Sequence, residues 1–257
     1  MSTQCELIAD GVVARLVFSN SGGLNLLDAG CRQTLADALT KLEQSAAFRV
    51  VVVEARGKVF LAGADLKELA ALDAASALAY AEAGQMLLNR LADLPQPTVA
   101  VLHGVCAGGG CELALACNFR LLAREARIGL PETSLGLLPG WGGTVRAVAH
   151  LGLARAESLI LSGQLLPADA ALALGLVHQV CDASELPAAT STLVSTLLTR
   201  GPQALSATKH LLHSHSLPHR SAQLAAEAHR FAACYASGEA TAGIAAFLAK
   251  TPAPWCV

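Results

Sequence analysis

From Cys5 to Phe18 apolar and polar residues alternate on either side of Asp10-Gly11, a dipeptide that favours the tight turn of a β-hairpin. The period then changes. Between Leu26 and Ala47, the residues Leu27, Leu35, Leu39 and Leu42 share one helical face, with Asp28 placed as N-cap. Val50 to Val53 is a short, fully apolar run of the kind a strand buried on both faces requires. Another apolar run, Val59-Phe60-Leu61, leads through Ala62 to Asp65 into a helix. Ala74 to Leu94 carries a longer amphipathic pattern that Pro95 and Pro97 stop. Val99 to Leu102 reads as a further buried strand, followed by a glycine turn, a helix over Glu112 to Ala116, and a strand at Phe119 to Ala123. From about Leu151 helical spacing dominates through Phe247, interrupted by an apolar run at Leu176 to Val180.

Short buried strands alternating with helices predict an α/β layer structure. The change of character toward the C-terminus divides it into a core over residues 1–195 and a helical region over 196–257. Composition fits one large core: 53% of the 257 residues are hydrophobic, while 15% are charged and 4% aromatic, so small aliphatic side chains fill it. Such a composition often accompanies a surface partly covered by partner subunits. The formal net charge is -2 with no basic block, which excludes the electrostatic footprint of a nucleic-acid binder. The eight cysteines are scattered and form no CxxC or Cys/His pair, so reduced thiols are expected in place of disulfides or a zinc site. The N-terminal residues show no basic segment followed by an apolar run, and the most apolar stretch, Pro97 to Phe119, contains His103, Glu112 and three glycines. Neither a signal peptide nor a membrane span is therefore expected, and the chain reads as cytoplasmic.

Four features carry chemistry. In His103 to Glu112, HGVCAGGGCE, a strand meets three consecutive glycines and a helix begins at once. Glycines there let a ligand approach the main chain, and the first N–H groups of a helix lack internal partners, so the turn can hold a phosphate or a developing oxyanion. Taken alone, it equally fits tight packing of the turn against a neighbour. A second turn of this kind runs through Ala62-Gly63-Ala64-Asp65-Leu66, with Asp65 also readable as an N-cap. Two carboxylates follow, Glu112 after the glycines and Glu132 after Pro131; buried together they can divide acid and base roles, and apart each simply satisfies backbone amides. The fourth feature, Pro139-Gly140-Trp141-Gly142-Gly143-Thr144, precedes a helix near Val145 and lacks the lysine of a nucleotide-binding loop.

In this order the features resemble the enoyl-CoA hydratase/isomerase (crotonase) superfamily: AGAD at Ala62 to Asp65, GGGxE at Gly108 to Glu112, Pro131-Glu132, Leu135-Gly136 and PGxGGT at Pro139 to Thr144. Leu161-Ser162-Gly163, Ala168 to Gly175 and Leu176-Val177 continue the likeness, and Ala245-Ala246-Phe247 matches it weakly. The resemblance implies a spiral of ββα units with a helical C-terminal region, assembled as a homotrimer or hexamer. It also implies that an acyl-CoA thioester is the substrate, with coenzyme A as part of it and no separate cofactor or metal. Its carbonyl would lie between the N–H groups of Ala64 and Gly109. Ala62, Gly63, Asp65, Leu66 and Gly108 would border the CoA side, and Gly140 and Trp141 the acyl chain. Trp141 equally fits a subunit contact. Hydratases of the family resemble this chain in carrying both glutamates. Glu112 and Glu132 would hold and activate water for addition to a trans-2-enoyl-CoA, with Glu132 supplying the proton to C2. An isomerase that shifts a 3-enoyl double bond, and a binding protein that keeps the fold without turnover, are the alternatives. The segment Ser19 to Asn25 departs from the Arg-Pro pattern usual in the family.

Other candidates carry less. His103 is expected to satisfy backbone groups, His210, His213, His215 and His219 to edge a surface helix, and Cys111 to be a core thiol. Lys209 and Lys250 are weaker candidates for contact with CoA phosphates.

Overall fold

The computed structural model describes residues 2–256. Strands β1 (Gln4–Asp10), β2 (Val13–Ser19), β3 (Val50–Ala55), β4 (Thr98–Leu102), β5 (Val105–Ala107), β6 (Phe119–Ala123), β7 (Arg127–Gly129), β8 (Leu166–Pro167) and β9 (Gln179–Cys181) build two sheets. The larger has the order β1-β2-β3-β4-β6-β9 and the smaller β5-β7-β8. β1 and β2 form the hairpin expected around Gly11, with Asp10 opposite Val13. From β2 onward the larger sheet is parallel, and helices carry the chain between neighbouring strands. Val50, Val51, Val52 and Val53 have no exposed surface, which explains the run of four valines at the start of β3.

Sharp corners turn this sheet into a spiral. The chain leaves β4 at His103-Gly104 and enters β5 in the second sheet; Gly104 has φ +60°, and a Cβ there would lie 2.2 Å from the Lys58 carbonyl oxygen. After β5 comes the helix Gly109–Leu115, and after that β6 and β7 repeat the pattern. The preceding turn is built the same way: β3 is followed by a single bridge from Leu61 to Cys106 and then by the helices Leu66–Ala70 and Ala74–Asp93. These are the ββα units that the sequence motifs implied.

Most element boundaries agree with the sequence pattern, and the differences have local causes. The first helix spans Ala29–Glu43 with Asp28 as its N-cap, as expected: its carboxylate accepts the Cys31 N–H at 2.8 Å. The helix expected from Glu112 starts at Gly109, so two of the three glycines form its first turn and Gly108 is its cap at φ +53°. All eight cysteines are unpaired, and six are buried.

Helices Leu186–Leu198, Pro202–Ser216, Arg220–Ala236 and Glu239–Ala249 complete the chain. Arg220–Ala236 packs along Ala74–Asp93, and together with Glu239–Ala249 it buries Ala228, Phe231, Tyr235 and Ile244 against Leu69, Ala77, Ala81 and Leu135. This smaller apolar cluster brings the C-terminal helices onto the end of the spiral where the glycine turns lie. No single helix among the described residues is long and apolar enough to cross a membrane.

Candidate active site

The two glycine turns meet. A Cβ on Gly63, at φ +105°, would lie 3.1 Å from the Ala107 carbonyl oxygen, and one on Gly110 would lie 2.3 Å from that of Leu61. Such close approach is open only to glycine. Ala107 N–H donates to the Leu61 carbonyl at 3.1 Å and Leu27 N–H to that of Gly63 at 2.8 Å, locking both turns in register. Ala64 follows Gly63, and Gly109 follows Gly108, the two glycines held at positive φ. Among the described residues the N–H groups of both find no acceptor, and both residues line a cavity of about 300 Å³. Backbone donors without partners at a cavity wall are rare and mark a place where an acceptor can bind.

Both glutamates line the same cavity. Glu112 is 2% exposed, and its Oε1 accepts the N–H groups of Trp141 at 2.8 Å and Gly143 at 2.9 Å. Its Oε2 makes no hydrogen bond among the described residues. Burial, followed by the charges of Glu132 and Glu227, pushes its proton affinity well above that of an ordinary carboxylate, and the two amides hold it back. Glu132 opens a 3-10 turn, Glu132–Leu135, with Pro131 before it. As a residue it is half-buried, but its Oε2 is fully buried and without a partner. Burial raises its pKa from the ordinary 4.5 to about 8, with the charge of Glu227 adding to the shift. Gly108 is pressed against it: a Cβ there would lie 3.1 Å from Glu132 Oε1.

Trp141 is 3% exposed, so it is buried within its own chain and is not the subunit contact that its sequence position equally allowed. Its indole lies against Gly84, where a Cβ would fall 2.2 Å from Cε2 and Nε1, and also against Gly109. Tyr80 and Phe231 continue the aromatic wall, with the Tyr80 and Trp141 ring centres 5.3 Å apart. Ala62, Gly63, Leu66, Gly108 and Gly140 line the cavity as well. Asp65 does not: its carboxylate accepts the Lys67 N–H at 2.9 Å and caps Leu66–Ala70. His103 Nε2 lies 3.2 Å from the Gly57 carbonyl oxygen, away from the cavity. Lys209 is not placed for CoA phosphates. It is 8% exposed and its Nζ donates to the carbonyls of Leu94 at 2.7 Å and Gln96 at 2.9 Å.

One carboxylate of the site was not singled out in the sequence. Glu227, from Arg220–Ala236, is 5% exposed and reaches the same loop as Glu112. Its Oε1 accepts the Gly142 N–H at 2.5 Å and Gln85 Nε2 at 3.1 Å, and its Oε2 accepts the Thr144 N–H at 2.9 Å and the Thr144 hydroxyl. Burial raises its pKa, and these four donors oppose that rise. Arg146 is the buried cation nearby; its Nη1 donates to the Trp141 carbonyl at 2.8 Å.

Comparison with known proteins agrees with this architecture. Residues 9–256 match the family model described as enoyl-CoA hydratase/isomerase. The chain is 37% identical over 247 residues to a probable enoyl-CoA hydratase from Bacillus subtilis, covering 95% of each. It is 29% identical over 242 residues to a short-chain-enoyl-CoA hydratase from Clostridium acetobutylicum, covering 94% of this chain and 93% of that one. The crystal structure of an enoyl-CoA hydratase from Mycobacterium avium subsp. paratuberculosis has the same fold, with a TM-score of 0.88, 26% identity and full coverage of both chains. The chain therefore belongs to the enoyl-CoA hydratase/isomerase family of enzymes.

Proposed function

We propose that the protein is an enoyl-CoA hydratase, which adds water across the C2=C3 bond of a trans-2-enoyl-CoA to give a 3-hydroxyacyl-CoA. The observation that carries this reading is the presence of two glutamates, Glu112 and Glu132, on one cavity with the unpaired N–H groups of Ala64 and Gly109. The hydratase relatives support it.

In this mechanism the thioester oxygen accepts hydrogen bonds from Ala64 and Gly109. The two carboxyl groups share a proton near neutrality. Glu112, whose Oε1 is held by two amides, carries the charge, and Glu132, whose Oε2 has no donor, carries the proton. A water held between them loses a proton to Glu112 as its oxygen attacks C3. The C2=C3 electrons move into the thioester, and the enolate oxygen is stabilised by the two N–H groups. Glu132 then gives its proton to C2 and the carbonyl re-forms. The proton left on Glu112 passes back to Glu132 and restores the pair, so the sum is water plus enoyl thioester to hydroxyacyl thioester, and this balance calls for no further cofactor. Gly63, Gly108, Leu66 and Ala62 border the thioester side, and Gly140 and Trp141 the acyl group. The same reading takes residues 196–257 as the region through which a trimer or hexamer assembles, and the exposed Leu211, Leu212, Phe247 and Leu248 support it.

The test is the loss of conjugated enoyl absorbance with crotonyl-CoA, measured on the wild type, Glu112→Ala and Glu132→Ala. Turnover by the wild type, with each variant losing about a hundred- to ten-thousandfold, upholds the reading. A wild type that is inert on crotonyl-CoA but converts a 3-enoyl-CoA, with Glu112 dispensable, replaces it by isomerisation.

A further inference from the structure

Four consecutive amides in the loop after Pro139 are divided between two carboxylates. Those of Trp141 and Gly143 point to Glu112, and those of Gly142 and Thr144 point to Glu227. Alternate N–H groups of the loop thus face opposite sides, one toward the cavity and one toward the C-terminal helix. A shift of the loop toward either glutamate would lengthen the bonds to the other. Gln85 ties the arrangement further: its Nε2 donates to Glu227, to the Gly140 carbonyl at 3.1 Å and to the Leu224 carbonyl at 2.9 Å.

The partners of Glu227 also specify its charge. Three of the four, the Gly142 and Thr144 N–H groups and Gln85 Nε2, can only donate, and the Thr144 hydroxyl can turn to donate as well, so the anion satisfies all four at once. The donor set fits the anion, and bonds of this charge-assisted kind are the stronger ones. Glu112 and Glu132 are different, since each keeps one oxygen free of donors. Among the described residues, three other charged or titratable groups are coupled electrostatically to Glu227. They are Arg146 from Gly143–Leu151, Glu112 from Gly109–Leu115 and Glu132 from the 3-10 turn. Asp93 and Arg220 lie further out and pair with each other.

We infer that Glu227 is a positioning residue, a fixed anion on the helix Arg220–Ala236 that presents the Trp141 and Gly143 amides to Glu112 and whose charge acts on the Glu112–Glu132 pair. This rests on the hydratase reading for its catalytic consequence, but the electrostatic half stands without it. The negative charge of Glu227 disfavours ionisation of both partners, so it helps keep a proton on the pair at neutral pH. It also makes the catalytic loop dependent on the docking of a helix from the other end of the chain.

The experiment compares Glu227→Gln and Glu227→Asp. In each, the carboxyl ¹³C resonances of Glu112 and Glu132 are titrated in ligand-free protein, and kcat and KM for crotonyl-CoA are measured across pH. In Glu227→Gln the titrations are expected to move to lower pH by about half a unit to one unit, the size of one lost like-charge contribution. kcat is expected to fall about ten- to a hundredfold with KM within about twofold, because the loop no longer holds Glu112. Glu227→Asp keeps the charge and shortens the reach, so the titrations stay near wild type while kcat falls. Titrations that do not move in Glu227→Gln overturn the electrostatic role, and wild-type kcat in both variants overturns the positioning role. If the wild type itself is inert on crotonyl-CoA, the hydratase reading fails, and the ¹³C titrations still decide the role of Glu227. Should Glu227→Gln not fold, Thr144→Val removes one donor and leaves the charge. A loss in kcat of about tenfold at unchanged KM supports the inference, and unchanged kcat overturns it.

Discussion

A single methyl group added at Gly84 tests how the cavity wall is held. Gly84 lies inside the helix Ala74–Asp93, where alanine is the better residue by about 1 kcal/mol on intrinsic propensity. The structure argues for the opposite outcome. The new Cβ would stand 2.2 Å from Trp141 Cε2 and Nε1 and 2.3 Å from Cδ1. Restoring ordinary contact requires the indole to retreat by about 1.3 Å. It has little room to do so. Its far edge already touches Gly109, where a Cβ would lie 3.6 Å from Cε3, and Tyr80 is stacked obliquely beside it. Overpacking of this kind costs about 1–3 kcal/mol, so Gly84→Ala is expected to be destabilised by about 1 kcal/mol net. For a chain of this size that is a fall in Tm of about 2–4 °C. The effect on activity is expected to be larger, because the displaced ring pushes on two functional amides. Trp141 N–H donates to Glu112 at 2.8 Å, and Gly109 N–H faces the cavity. Misaligning them should lower kcat/KM on crotonyl-CoA about ten- to a hundredfold. Trp141→Phe removes the pyrrole ring that the methyl would strike, so Gly84→Ala on that background should cost less than on the wild type, a non-additivity read by thermal melts and kinetics together. A Gly84→Ala protein with a raised Tm and unchanged kcat/KM would show helix propensity alone, and the packing argument would be wrong.

Two further outcomes follow from buried ionisable groups. Glu132 is raised to about 8, so in the folded protein it holds its proton at neutral pH and loses it as pH rises through about 8. As proton donor to C2 it should give kcat/KM a basic limb near there, and Glu132→Gln should abolish that limb while lowering kcat about a hundred- to ten-thousandfold; a limb that survives the substitution assigns the titration to another group. Lys209→Met leaves the Leu94 and Gln96 carbonyls without their donor, at about 1–3 kcal/mol for each buried group. Its Tm should drop by several degrees with KM for the thioester unchanged, whereas a raised KM would return Lys209 to the CoA phosphates.

The parts of the fold that were legible in the sequence are those with a long enough signal. β3, β4 and β6 lie inside a parallel sheet, so most of their residues are buried and each carries a short apolar run, Val50 to Val53, Val99 to Leu102 and Leu121 to Ala123. β5, β7 and β8 have only two or three residues each, too few to show any period, and the second sheet was invisible for that reason. The glycine turns were legible because Gly63 and Gly108 need positive φ, which sequence can signal. Their meeting was not, since it depends on the Leu61–Cys106 bridge between segments about forty residues apart. Asp65 shows the converse error: a residue adjacent to a functional turn was given to the ligand side, when its carboxylate was already committed to the helix it caps.

Glu227 is the instructive omission, because a signal for it did exist. Leu224, Ala228, Phe231 and Tyr235 recur at three- and four-residue spacing and define the buried stripe of Arg220–Ala236, and Glu227 sits on that stripe. A carboxylate on an apolar stripe must either be excluded from the core or find enough donors to remain there. Glu227 finds four, and none is near it in sequence: Gly142, Thr144 and Gln85 lie on other elements. The helical pattern alone therefore reveals that the residue has a demand, but not what meets it. The loop Gly140 to Thr144 has the complementary demand, since its glycine-rich backbone offers N–H groups that no helix or strand consumes. Matching a buried acid without local donors to a loop with unspent donors is a pairing that sequence can suggest. Here that pairing links the helix Arg220–Ala236 to the loop Gly140 to Thr144.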